Sequence, residues 1–128
     1  MAVKKLLGIV VLGLLWCNVG FSKEVSGTQL LCKDQLNKND PVGFWFLSEV
    51  LVLEYTIRSW EVQKYEKEVS VKPDRIHIQY GATIYRDTLR SLGTEYYDCS
   101  IVKDFNFEEY FNKLLKDQIA EQEAKNKL

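Results

Sequence analysis

One histidine, eighteen acidic side chains and three cysteines are the residues of this chain that could do chemistry. His77 is the only side chain whose ordinary pKa lies near neutrality. To act as a base or to activate a nucleophile it would need a positioned partner and a pocket. It sits in Arg75-Ile76-His77-Ile78-Gln79-Tyr80, where strand alternation puts Ile76, Ile78 and Tyr80 on one face. His77 and Gln79 fall on the other, wet face, so no catalytic histidine is expected. Among the acids, Glu66, Glu68, Glu108 and Glu109 read as solvated. Glu49 and Glu54 flank an apolar strand, and burial of either would be a functional pointer. Gly-rich phosphate loops, G-x-S-x-G, H-E-x-x-H and EF-hand patterns are absent from the sequence. The expectation is a protein that is not an enzyme and needs no cofactor.

The cysteines are Cys17, Cys32 and Cys99, and the first lies in a segment with its own logic. Met1 to Ser22 has the form of a secretory signal peptide. Lys4 and Lys5 make a charged start, Leu6 to Trp16 an apolar run, and Gly20 and Ser22 the small residues before a cut. The run is shorter than the about 20 residues that a membrane-spanning helix needs. A lipoprotein cleavage site would want a small residue before Cys17, and Trp16 stands there. Cleavage near Ser22 therefore predicts a periplasmic or secreted chain beginning at Lys23, with no membrane span. Cys32 and Cys99 are then an even pair, most simply one disulfide in an exported chain. A metal site would need more ligands than His77 and these two cysteines supply.

Aromatic content is the remaining signal. Beyond the leader the chain holds Trp45 and Trp60 with most of its Phe and Tyr residues. Phe44-Trp45-Phe46 and Tyr96-Tyr97 place aromatics on both faces of their strands. Aromatics at an open end of a sheet commonly line ligand pockets and protein interfaces. Trp45, Trp60, Tyr65 and Tyr97 are the candidate binding residues. A barrel core alone could also account for such aromatics. The ligand class that suits them is a partner protein or an amphiphilic small molecule. Nucleic acid is excluded by charge, since 17 basic against 18 acidic residues leave no basic excess.

These residues must be held by short elements. Turn formers at Asn37–Pro41, Ser48-Glu49, Lys72–Arg75, Tyr80–Ala82 and Leu92–Glu95 cut the chain. Between them the pattern alternates, giving strands over Thr28–Lys33, Gly43–Leu47, Val50–Arg58, Val62–Val71, Arg75–Tyr80, Thr83–Leu92 and Tyr96–Val102. In the third, Leu51, Leu53, Tyr55 and Ile57 share a face, and Glu54 and Thr56 fall on the other. Val62–Val71 carries Glu66-Lys67-Glu68 and reads as one strand with a wet face or as two pieces. Arg86 and Asp87 fall inside the sixth strand, where they would pair with neighbouring strands.

About seven strands with no helical crossover predict a mainly β protein, an antiparallel meander or small barrel. The C-terminal quarter changes period. Phe107, Phe111, Leu114, Leu115 and Ile119 make one stripe of a helix over about 106–126, with Asn106 as its N-cap. That helix should pack on the sheet or plug an open end. Residues 23–128 then form one domain behind the leader at 1–22.

The order of signal peptide, Leu30-x-Cys32, Gly43-Phe44-x-Phe46, an Ile-x-Ile strand, Tyr85-x-x-x-Leu89 and Cys99 resembles small exported bacterial proteins. That resemblance implies export and a β-rich fold closed by a disulfide, and no activity. The architecture is also similar to small periplasmic β-barrel inhibitors of C-type lysozyme. Their inhibitory loop would correspond to Tyr80-Gly81-Ala82, which lacks the expected serine. The reading is an exported, non-enzymatic binding protein, with inhibition of a cell-wall hydrolase as the alternative.

Overall fold

Eight strands run antiparallel, each bonded to the next, and the last returns to the first. They are β1 (Gln29–Asp34), β2 (Val42–Phe46), β3 (Leu51–Arg58), β4 (Glu61–Val71), β5 (Arg75–Ile78), β6 (Thr83–Tyr85), β7 (Arg90–Leu92) and β8 (Tyr97–Val102). One helix among the described residues, α1 (Phe107–Lys125), follows. The computed structural model describes residues 24–36, 38–92 and 97–128. The leader expected over Met1–Ser22, Cys17 and Tyr96 lie outside the described residues. Closure rests on β1 and β8, paired from Gln29↔Val102 to Asp34↔Tyr97. Closure matters because an unpaired strand edge would be a template for aggregation.

The strand expected over Thr83–Leu92 is two strands, β6 and β7, joined by a turn through Arg86–Leu89. Arg86 and Asp87 are therefore turn residues, not members of a ladder. Arg86 Nη1 donates to the Lys72 carbonyl at 3.0 Å, and the Arg86 backbone N–H donates to the Asp74 carbonyl at 2.9 Å. Asp87 caps its own turn by accepting from the Thr88 N–H. Val62–Val71, by contrast, is one continuous strand that begins a residue earlier.

Alternation along each strand sends one set of side chains inward. Leu30, Cys32, Phe44, Phe46, Val52, Val69, Ile76, Ile78 and Ile84 form the buried interior. A second core lies on the outside, where α1 covers Leu31, Tyr55 and Ile57 with Phe107 and Phe111. The helix thus packs on the outer wall and does not plug an end. Its N-cap is Asn106, whose side chain accepts from the Glu109 N–H at 3.1 Å. The predicted stripe faces the wall through Phe111, Leu114 and Leu115, but Ile119 is left exposed. Tyr55 stacks on Phe107 with ring centroids 5.1 Å apart, and burial pushes its hydroxyl pKa up.

This second core decides which face of β3 is which. Leu51, Leu53, Tyr55 and Ile57 do share a face, and it is the outer face beneath the helix. Glu54 and Thr56 point into the barrel and are each only 7% exposed. Alternation separates two faces without saying which is inside, and a helix on the outer wall made the outer face the more apolar one. The placement of Tyr80 with Ile76 and Ile78 is corrected: β5 stops at Ile78, and Tyr80 stands 91% exposed in the following turn with φ 53°.

Candidate functional site

The odd strands end, and the even strands begin, at one end of the barrel, termed here the mouth. The connection from β1 to β2 is anchored there by Asp34. Its carboxylate accepts backbone N–H bonds from Leu36, Lys38 and Asn39 at 3.1, 3.3 and 3.1 Å. The Leu36 bond leads in holding the Asp34 carboxyl below its usual pKa, against partial desolvation. Asp40, in the same loop, accepts from Gln118 of α1 at 2.6 Å and from the Tyr97 hydroxyl, through its backbone oxygen, at 3.4 Å. Helix, loop and β8 are therefore tied together beside the mouth.

The mouth opens as a cavity of about 510 Å³. Its apolar wall includes Cys32, Val42, Phe44 and Tyr97, and its polar side Glu54, Arg58, Lys67 and His77. Lys67 Nζ lies 2.9 Å from Glu54 Oε2, with the two side chains 17% and 9% exposed. The ammonium also stands 5.8 Å from the Tyr65 ring centroid, within reach of a cation–π contact. This arrangement follows from register. Glu54 faces Tyr65 and Val52 faces Lys67 across the β3–β4 ladder, so Lys67 projects inward like its partner Val52. Phe44, Val52 and Ile78 fill the barrel beneath, each no more than 3% exposed. The cavity is thus a cup over a packed core, not a tunnel.

Of the four aromatics singled out from sequence, Tyr97 lines the cup and Tyr65 lies against its lysine. Trp60 is at the same end, 53% exposed in the β3–β4 turn. Trp45 is elsewhere. It lies on the outer wall, paired with Gln29 and Leu53 in register, beside a groove of about 670 Å³ that includes Phe105 and Ile101. At the opposite end a second opening of about 510 Å³ is bordered by Leu30, Phe46, Ile76 and Ile84, with Arg86 and Asp87 on its rim. Sequence reasoning flagged Glu54 only as a carboxylate that burial would make interesting. It missed Lys67 and Arg58, whose charges blended with their neighbours.

His77 is exposed, as alternation predicts, and its Nδ1 is 3.0 Å from the Thr83 hydroxyl. It borders the cup together with Glu54, but Glu54 is engaged by Lys67 and His77 by Thr83. The disulfide is present between Cys32 and Cys99, which face each other across the β1–β8 seam. Among the described residues no group of three or more His, Cys, Asp or Glu side chains is placed to hold a metal ion. No helix among them is long and apolar enough to cross a membrane.

Fold and site together define a closed, eight-stranded meander barrel with an outer helix and a charged cup at one end. No protein-family model matches the chain, and neither a curated protein nor a solved structure matches it. The resemblances noted above therefore rest on the quoted residues alone.

Proposed function

We propose that this is an exported, non-enzymatic binding protein that holds an amphiphilic small molecule in the cup at the barrel mouth. The observation that carries this reading is the Glu54–Lys67 pair, 2.9 Å apart and largely shielded, set above a packed hydrophobic core. Two charges withdrawn from water stabilise a fold poorly, and packed hydrophobic residues of similar volume commonly do as well or better. Placed beside Phe44, Val42 and Tyr97, the pair gives the cup one polar and one apolar side, as an amphiphile requires. Export is supported by the leader at Met1–Ser22 and by the disulfide, which belongs to an oxidising compartment. The test is native mass spectrometry of the protein recovered from the compartment into which its own cells export it. An added mass that disappears on denaturation is the expected result. A bare chain overturns the carrier reading and directs attention to a protein partner.

A second reading, inhibition of a cell-wall hydrolase, is favoured by the turn Tyr80-Gly81-Ala82. Tyr80 projects from it in a left-handed conformation, almost fully exposed, as a residue that enters an enzyme cleft would. Excess protein added to C-type lysozyme should then slow bacterial lysis, and an unchanged rate removes this reading.

A further inference from the structure

We infer that the cup selects an anionic amphiphile, its carboxylate, sulfonate or phosphate head meeting Lys67 and Arg58. The inference rests on the amphiphile reading above and adds the sign of the head group. Three charged side chains border the cup, two cationic and one anionic, although the chain as a whole carries −1. The positive excess is local. Lys67 is ion-paired with Glu54, and an ammonium carries three donors, enough to meet a second anionic group. Arg58 stands exposed at the end of β3 with no hydrogen bond or ion pair of its side chain among the described residues. Its planar fork suits two oxygens of one head group.

Gly81 lies beside the Lys67 ammonium at the entrance. A Cβ built there would lie 3.6 Å from Lys67 Nζ, in ordinary contact with it. A cationic head would face Lys67 and Arg58 with only Glu54, already engaged, to receive it. An anionic head meets both cations and displaces no existing partner. Because Phe44, Val52 and Ile78 close the barrel below, the apolar body of the ligand lies across the mouth against Val42, Phe44 and Tyr97. It does not descend along the axis.

Two probes sharing one ring system separate the head group from the body: anilinonaphthalene sulfonate, which is anionic, and phenylnaphthylamine, which is neutral. Both are titrated into the intact folded protein and read by fluorescence. The sulfonate should bind about tenfold more tightly than the neutral probe, the worth of one charge-assisted hydrogen bond. Arg58→Gln, on an exposed side chain, should weaken the sulfonate about tenfold and leave the neutral probe unchanged. The double variant Glu54→Leu with Lys67→Met strands no buried charge and should act on the sulfonate in the same sense. Gly81→Ala introduces only ordinary contacts, the shortest 3.4 Å to Ile78, and should weaken both probes by narrowing the entrance. Equal binding of the two probes, unaltered by Arg58→Gln, overturns the sign inference and leaves the amphiphile reading standing. Binding of neither probe overturns both.

Discussion

Gly43 decides how closely the helix can approach the barrel. A Cβ built there would fall 2.6 Å from two ring carbons of Phe107 and 3.1 Å from Phe111. Both rings are essentially buried, so neither can swing away without disturbing Tyr55, on which both stack. Gly43→Ala should therefore cost about 2 kcal/mol, the range of overpacking a filled core. Urea unfolding should show this as a lower midpoint at an unchanged slope. A wild-type midpoint would mean that the helix seat is compliant. At this scale the sequence was legible wherever a residue type has one environment: His77 lies outside, Ile76 and Ile78 inside, and the two cysteines pair. It was illegible for Glu54, whose burial depends on which face of β3 the helix covers, information held some fifty residues away in α1.

Elements were legible in the same uneven way. The β-period, the helical stripe and the Asn106 cap placed seven of the nine elements among the described residues to within two residues at most. The break between β6 and β7 went unseen because Arg86–Leu89 contains neither Gly nor Pro, and its one signal is the run of three polar residues Arg86-Asp87-Thr88. The turn is made instead by Leu89 at φ 57°. The β3–β4 turn uses a similar device: Ser59 and Trp60 have φ of 52° and 62°, a conformation that Asn-Gly adopts far more readily. Bulky residues held there carry strain of roughly 1 kcal/mol each. Ser59→Asn combined with Trp60→Gly should then raise stability by about 1 kcal/mol, measured as a higher melting temperature. Any contact Trp60 makes with a ligand or partner at the mouth end would be lost with it. A stabilised variant with weakened binding would place Trp60 among residues retained for contact. A destabilised variant would show that the indole packs against the hairpin and that the turn strain is the lesser term.

For the whole molecule the decisive feature is the seam. Seven of the eight ladders join strands adjacent in sequence, and each can form from a short hairpin. The eighth joins β1 to β8, and no local contact can form it before most of the chain is ordered. Cys32 and Cys99, 67 residues apart, lock that ladder at facing positions. In the chain-entropy account a loop of this length is worth about 4 kcal/mol, against the roughly 5–15 kcal/mol by which domains are stable. Replacing both cysteines with alanine should accordingly lower the urea midpoint sharply, and the loss should not be uniform. Amides of β1 and β8 should exchange with solvent faster than those of the long β3–β4 hairpin, which keeps its own ladder and its helix cover. Exchange that rises equally in all strands would instead show a barrel opening only as a unit, with the disulfide acting on the unfolded chain alone. Because Cys32 also borders the cup, a seam that loosens locally should weaken the sulfonate probe as well. The bond would then hold the fold closed and the mouth in shape at once.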